Sequence, residues 1–139
     1  MNQHVETIGL IYEAFGRGDV EAILPHLAED VRWEEWEDNH AQRAGVPWLA
    51  PRRGREGALE FFRVAGGLRI HDFRVLKMLA GEDSVAAEVI IEFTAPNGAR
   101  LRDEELHLWT LGADGKVVRL RHYVDTAKHI ATAGPDSAE

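Results

Sequence analysis

The sequence contains no cysteine among its 139 residues. Disulfide bonds, thiolate zinc sites and a cysteine nucleophile are therefore all excluded. Long apolar runs are also missing: no segment approaches the ~20 apolar residues that cross a bilayer, and the amino terminus lacks the features of an export signal. We therefore predict a soluble, cytoplasmic protein with no membrane partner. Its length indicates one domain, expected over residues 1–133, with a polar tail over residues 134–139.

Basic residues are scarce as well. Sixteen Lys and Arg residues stand against 24 Asp and Glu residues, which gives a formal net charge of −8 at pH 7. Proteins that bind nucleic acids carry clustered positive charge, so this composition predicts no nucleic-acid partner. The one tight basic cluster, residues 52–55, follows Pro51 and contains a glycine, a pattern typical of a solvated loop.

Several sequence motifs that are typical of a particular chemistry are absent. The sequence has no glycine-rich phosphate loop, no GxSxG elbow and no HxH or HExxH spacing. We therefore predict neither a cofactor nor a metal site. A nitrogen and oxygen site formed by His107 and His122 with Glu35 or Asp125 is the less favoured alternative.

The patterns that are present predict helices early in the chain and strands later. Apolar residues spaced three and four apart indicate helices over residues 5–16, 20–27 and 56–64, the second opened by Asp19 as N-cap. Strands are predicted over residues 30–36, 68–80, 85–95, 100–111 and 117–125, and a turn of helix over residues 126–133. Residues 37–54 read as a long polar loop. This order indicates an α+β fold with helices on one face of a curved antiparallel sheet.

Several short strings of the sequence resemble the SnoaL-like, nuclear-transport-factor-2-like superfamily, which includes ketosteroid isomerases and limonene epoxide hydrolase. They occupy residues 12–19, 27–31, 54–58, 114–118 and 123–125. Each is a helix end, a turn or a cap, and their order and spacing together carry the resemblance. It implies a cone-shaped, cystatin-like α+β barrel that encloses an apolar pocket and forms a homodimer through its outer sheet face. It does not imply one activity, because this fold hosts many.

Residue by residue, the resemblance to ketosteroid isomerases is incomplete. Glu35 matches the position of the general base, and His107 matches the position of the protonated oxyanion-hole aspartate. The oxyanion-hole tyrosine falls at Ile11, one residue before Tyr12, which reads as a core residue. The resemblance therefore implies proton-transfer chemistry in general more strongly than it implies steroid isomerisation.

Two other members of the superfamily differ in how well they match. In the epoxide hydrolase pattern an Arg-x-Asp pair would fall near residues 88–90, but this sequence has no such pair there. His122 occupies the position of the remaining aspartate of that pattern. SnoaL-type cyclases use a histidine and an aspartate on the late strands, and His107, His122 and Asp125 resemble such a set. The sequence therefore matches the residue pattern of the cyclases better than that of the epoxide hydrolase.

Strand alternation selects the side chains that face the predicted pocket. Residues that share a face are Glu105, His107 and Trp109 on one strand, and Leu120, His122 and Val124 on the next. On the first strand, Glu35 shares a face with Trp33. An apolar neighbour would raise the pKa of Glu35 toward neutrality, as a general base requires.

These positions give a predicted set of site residues. His122 or Glu35 is expected to act as base, and His107 to stabilise an enolate oxygen, because histidine titrates near neutral pH. The predicted ligand-binding residues are Trp33, Trp109, Leu120, Val124, Asp125 and Trp48, the last as a lid in the polar loop. Trp36 is expected in the core.

The sequence thus predicts a protein that binds a small, largely apolar organic molecule. As an enzyme, it would isomerise, cyclise or dehydrate a carbonyl compound by proton transfer. Two alternatives remain: a non-catalytic ligand-binding or dimerising module with the same pocket, and a protein-interaction adaptor with a shallow cavity and a large apolar patch.

Overall fold

A computed structural model of the chain describes residues 2–134. Its helices are α1 (Gln3–Gly16), α2 (Val20–Ile23), α3 (His40–Arg43), α4 (Gly54–Ala65) and α5 (Thr126–Ala133). Its strands are β1 (Leu27–Trp33), β2 (Arg52–Arg53), β3 (Arg69–Ala80), β4 (Ser84–Thr94), β5 (Arg100–Leu111) and β6 (Val117–Tyr123). Apart from Gly134, the predicted polar tail lies outside the described residues.

Capping and apolar spacing produce the two amino-terminal helices. The Asn2 side chain accepts backbone hydrogen bonds from the first turn of α1. Ile8, Ile11 and Ala14, spaced three apart, form the buried face of this helix. The Asp19 carboxylate accepts a backbone N–H of α2, which confirms Asp19 as the N-cap.

The six strands form one sheet in the order β2-β1-β6-β5-β4-β3, which does not close into a complete barrel. The sheet and its helices confirm the predicted α+β class. The predicted antiparallel pairing holds except between β1 and β6, which are parallel. Short turns force antiparallel pairing from β3 to β6, whereas β1 is distant in sequence from β6 and no turn fixes their relative direction.

The predicted boundaries need correction in the first half of the chain. The first strand spans Leu27–Trp33 instead of residues 30–36. Pro25 lies in a short 3-10 turn that follows α2, so this helix is shorter than predicted. The predicted loop over residues 37–54 contains α3, a second 3-10 turn (Pro47–Leu49) and β2.

The apolar core consists of two groups of buried side chains between the helices and the inner face of the sheet. The larger group is centred on α1, β1, β5 and β6, and includes Ile8, Leu27, Val31, Trp33, Trp109 and Leu120. The smaller includes Trp48, Phe93, Leu101 and Ala133. Within residues 2–134, no helix combines the length and the apolar character needed to span a membrane.

Candidate active site

An aromatic cavity lies against the inner face of the sheet. Its unfilled volume is about 80 Å³. The aromatic lining residues are Tyr12, Phe15, Trp33, Trp48, Phe61, Phe62, Phe73, Phe93 and Trp109. Four titratable side chains join them, namely Glu105, His107, His122 and His129. The cavity is therefore largely apolar, with its polar groups concentrated on two strands and on α5.

Regular alternation along β5 brings most of these polar groups inside. Asp103, Glu105, His107 and Trp109 are all buried, and the residues between them are more exposed. On β6, Leu120 and His122 line the cavity, and Tyr123 is exposed. Five of the six residues predicted to face inward on these strands line the cavity, and Val124 is the exception.

The end of β1 breaks this alternation. Trp33 and Glu34 follow one another, and each is only 1% exposed. Glu34 has a φ of 57°, the one positive value for a non-glycine residue among residues 2–134. This left-handed conformation is strained for glutamate, and strain of this kind is often found at functional sites. The Gln42 side-chain amide supports the turn by donating hydrogen bonds to the carbonyl oxygens of Glu34 and Leu49.

Because of this left-handed residue, Glu34 takes the inward position that was predicted for Glu35. Glu34, not Glu35, turns into the protein next to Trp33. The Glu35 side chain is 48% exposed and forms an ion pair with Arg32. The prediction that Glu35 faces the cavity is therefore wrong, and His107, His122 and Glu35 do not converge there.

Glu34 instead holds His122. Its Oε1 accepts the His122 backbone N–H at 2.6 Å, and its Oε2 lies 3.1 Å from the ring Nδ1. Burial by itself would lower the pKa of His122, but the charge and hydrogen bond of Glu34 outweigh burial and raise it. Nδ1 therefore donates to Glu34, and Nε2 makes no hydrogen bond to any of the described residues.

His107 is fixed by a directional chain of hydrogen bonds. The Trp109 indole N–H donates to the Tyr12 hydroxyl at 3.0 Å, and this hydroxyl lies 2.8 Å from His107 Nδ1. Burial raises the pKa of Tyr12, so the phenol keeps its proton and donates it to Nδ1. The His107 proton is then on Nε2, 3.0 Å from Glu105 Oε1. Burial and the charge of His122 lower the pKa of His107, which favours this neutral form.

Glu105 accepts from two histidines. Its Oε1 faces His107 Nε2, and its Oε2 lies 2.9 Å from His129 Nε2. Burial alone would raise the pKa of Glu105, but these hydrogen bonds and the nearby imidazoles together lower it. Glu105 is therefore an ionised carboxylate at the centre of a buried polar network.

His129 occupies the far end of this network. The Trp48 indole N–H donates to its Nδ1 at 2.9 Å. Because an indole nitrogen only donates, the His129 proton must be on Nε2, which faces both Glu105 and Asp103 Oδ2 at 2.9 Å. Burial and the hydrogen bond with Glu105 raise the pKa of Asp103.

The same cluster is the one group of three possible metal ligands among residues 2–134. Single atoms of Asp103, Glu105 and His129 lie within 4.8 Å of one another. A metal ion on His129 Nε2 would move the ring proton to Nδ1, where it would oppose the Trp48 N–H. The donor pattern therefore fits a cluster that holds protons better than one that holds a cation.

The remaining predicted site residues have mixed positions. Trp48, predicted as a lid, is buried beside His129 and Phe93 and forms part of the cavity wall. Val124 and Asp125 line a separate, open depression of about 590 Å³, which shares Glu105 and His122 with the cavity.

Two aromatic side chains were predicted to lie in the core, and the structure contradicts this prediction for Trp36 alone. Trp36 is not a core residue: it packs on Tyr123 outside the cavity, with the Arg121 guanidinium over its ring. Tyr12 packs against the core as predicted, and its hydroxyl also belongs to the site, which its position on an apolar helix face did not indicate.

Sequence reasoning missed four further residues: Tyr12, Glu34, Asp103 and His129. Asp103 continues the inward series of Glu105 and His107 on β5, so strict alternation was a usable signal. His129 lies on α5 and joins the site through packing of that helix against β5. Nothing in the local sequence marks Glu34, because its placement depends on an unusual backbone angle.

Comparison with known proteins identifies the family. Residues 10–120 match the model of the SnoaL-like domain. Because this match covers most of the chain, the protein belongs to the SnoaL-like family. No curated protein shows significant sequence similarity to the chain.

Solved structures support the same fold. An NTF2-like protein of unknown function from Burkholderia pseudomallei K96243 is 24% identical, with a TM-score of 0.76 over 96% of this chain and 98% of that one. An NTF2-like protein from Burkholderia thailandensis E264 is 21% identical, with a TM-score of 0.79 over 97% and 100%. TerC, crystallised with polyporic acid, is 25% identical, with a TM-score of 0.74 over 95% and 98%.

Proposed function

We propose that this protein is an enzyme that moves a proton on a small, largely apolar carbonyl compound, as in isomerisation, cyclisation or dehydration. The observation that carries the proposal is the state of His122. Its Nδ1 is held by buried Glu34, and its Nε2 has no partner among the described residues. A histidine oriented through one nitrogen and open at the other is suited to general acid–base catalysis.

The reaction follows from this geometry. Neutral His122 accepts a proton at Nε2 from a carbon next to the carbonyl group, and the positive ring is stabilised by the Glu34 carboxylate. The proton then returns to a different carbon or to a leaving oxygen. His107 is a positioning residue here, because both of its nitrogens are engaged by Tyr12 and Glu105. The role of enolate stabiliser predicted for His107 therefore passes to another group.

The cavity supports an apolar ligand. Aromatic rings form most of its wall, and the structurally similar TerC was crystallised with an organic molecule, polyporic acid. The unfilled volume of about 80 Å³ is smaller than the ~150 Å³ cavity that accommodates benzene in an engineered core. A ligand with a ring therefore requires some wall side chains to change rotamer.

Exchange of carbon-bound protons tests this function. Acetophenone is incubated with the protein in deuterated buffer, and loss of its methyl proton signal is followed by NMR. We expect exchange that is proportional to protein concentration and exceeds the rate in buffer alone. Saturable binding without exchange would instead identify the non-catalytic ligand-binding module.

The Glu34–His122 pair predicts a shift in pH dependence. Glu34→Gln removes the charge that raises the pKa of His122, so this pKa falls and the basic form of the ring appears at lower pH. The rising limb of the pH–rate profile should therefore move to lower pH, and an NMR titration of the His122 ring should move with it. Glu105 and His107 face the same ring and remain unchanged.

Glu35→Gln is the matched control for this variant. Glu35 is adjacent in sequence, but its side chain is paired with Arg32 outside the cavity. Its removal should leave the pH profile in place. If the pH–rate profile shifted in Glu35→Gln but not in Glu34→Gln, the assignment of Glu34 as the partner of His122 would be wrong.

We also propose the homodimer predicted from the resemblance. Leu106 and Tyr123 are exposed partners in the β5–β6 register, on the face opposite His107 and His122. Leu79 adds a third exposed apolar side chain on β3. A monomeric mass in sedimentation would contradict this arrangement.

A further inference from the structure

One of the three indoles in the cavity wall has no hydrogen-bond acceptor. Trp48 donates to His129, and Trp109 donates to Tyr12. The third, Trp33, is 1% exposed, and its Nε1 is buried without a partner among residues 2–134. Buried donors are nearly always paired, so an exception in a cavity wall points to a missing acceptor.

The aromatic rings that contact Trp33 are poor hydrogen-bond acceptors. The rings packed around it belong to Phe61, Phe62 and Trp109, with centroids 5.2, 5.6 and 6.2 Å away. The π faces of such rings accept hydrogen bonds only weakly. An oxygen atom of a bound molecule would satisfy the indole far better.

Trp33 and His122 belong to the same end of the cavity. Phe61 packs on Trp33 and also stacks on the His122 ring, with centroids 5.7 Å apart. The other polar side chains that line the cavity are already engaged: Tyr12 Oη accepts from Trp109, and Glu105 accepts from both His107 and His129. Among the side chains that line the cavity, the buried Trp33 N–H and His122 Nε2 therefore remain without a hydrogen bond within residues 2–134.

Building on the proposed function, we infer that Trp33 is a catalytic donor that binds the carbonyl oxygen of the substrate and stabilises the enolate. His122 Nε2 takes the proton as the carbon–hydrogen bond breaks, and the bonding pair forms a carbon–carbon double bond. The carbonyl π electrons move to the oxygen, where the negative charge develops against the Trp33 N–H. Reprotonation reverses these steps, so no oxidant or other reactant is needed.

This assignment narrows the substrate class. The reacting group is a ketone-type carbonyl whose oxygen carries no hydrogen, with a carbon–hydrogen bond beside it. An ammonium group in its place has donors but no lone pair to accept the Trp33 N–H, so it would bind less well. The flat aromatic wall favours a carbonyl conjugated to a ring.

A pair of isosteric ligands tests the inference independently of turnover. Acetophenone has a carbonyl oxygen where α-methylstyrene has a methylene group, so their shapes agree and only one offers an acceptor. We expect the protein to bind acetophenone about tenfold more tightly, the ratio that one hydrogen bond supplies. Equal affinities, or binding of neither ligand, would overturn the inference.

Trp33→Phe should remove this preference selectively. Affinity for acetophenone is expected to fall about tenfold and that for α-methylstyrene to stay nearly constant. The exchange rate should fall about 100-fold, the loss expected for one oxyanion donor. Trp36→Phe, at an indole outside the cavity, is the matched control and should change neither.

Two further results separate the possible failures. If Trp33→Phe weakens both ligands equally, Trp33 acts by packing alone and the inference is wrong, whatever the exchange rate shows. If the ligand preference depends on Trp33 but no exchange occurs, the oxygen site stands and the proposed enzyme function fails. Should Trp33→Phe not fold, benzothienylalanine at position 33 keeps the bicyclic shape and replaces the N–H with sulfur, so the same comparison applies.

Discussion

Replacing His122 with alanine is expected to lower the rate of acetophenone proton exchange by about 100- to 10,000-fold, the range supplied by a positioned acid–base group. The reason is geometric: His122 Nε2 is the uncommitted imidazole nitrogen of the cavity, whereas the nitrogens of His107 and His129 are engaged. Ligand affinity should change much less than the rate. NMR exchange rates measured over a range of acetophenone concentrations separate the two effects.

Two companion variants control this experiment. His122→Asn keeps a side-chain N–H that can donate to Glu34 but cannot titrate, so it should fold normally and still lose exchange. His71→Ala changes an exposed histidine on β3 whose ring is hydrogen-bonded to Thr94, and this variant should exchange at the unaltered rate. Residual activity near the unaltered level in His122→Asn would assign the base to another group.

Replacing His129 with leucine is expected to lower the free energy of unfolding by about 3–5 kcal/mol at neutral pH, the usual cost of breaking a buried charged network. Leucine fills a similar volume but removes the donor shared by Asp103 and Glu105, and it leaves the Trp48 N–H without its acceptor. Chemical denaturation followed by tryptophan fluorescence measures this loss.

The loss should also depend on pH. The pKa of Asp103 is raised in the folded protein, so the fold binds this proton more tightly than the unfolded chain does. The interaction with His129 partly lowers the pKa of Asp103, so this pKa is higher still in His129→Leu. Protonation of Asp103 as pH falls therefore stabilises the variant more than the unaltered protein, and the loss should shrink toward acid. His71→Leu, on the exposed face of β3, should unfold like the unaltered protein. A loss of unfolding free energy that increases as pH falls would contradict this interpretation of the network.

The late strands could be predicted because their signals are local. Turn residues bound β3, β4, β5 and β6, and their predicted limits agree with the observed ones to within two residues. Alternation then assigns faces, so His107, Trp109 and Leu120 were placed correctly in the cavity wall. Each of these inferences depends only on neighbours along one strand.

The inward position of Glu34 and the outward position of Glu35 could not be predicted, because they depend on contacts with distant parts of the chain. Alternation from Trp33 selects Glu35, and only a left-handed residue at position 34 reverses the choice. That conformation is held by contacts from elsewhere in the chain, including the Leu120 carbonyl and the Gln42 side chain. One backbone angle thus decides which carboxylate meets His122.

The sequence by itself determined the α+β class, the order of elements and the inward faces of β5 and β6, because hydrophobic period and turn chemistry are properties of short segments. Only the tertiary structure decided the chemistry of the site. Hydrogen bonds between distant elements engage both nitrogens of His107, join His129 to Asp103, and leave His122 Nε2 and the Trp33 N–H uncommitted. Which donors and acceptors remain free depends on every contact around them, and such contacts exist only once the chain has folded.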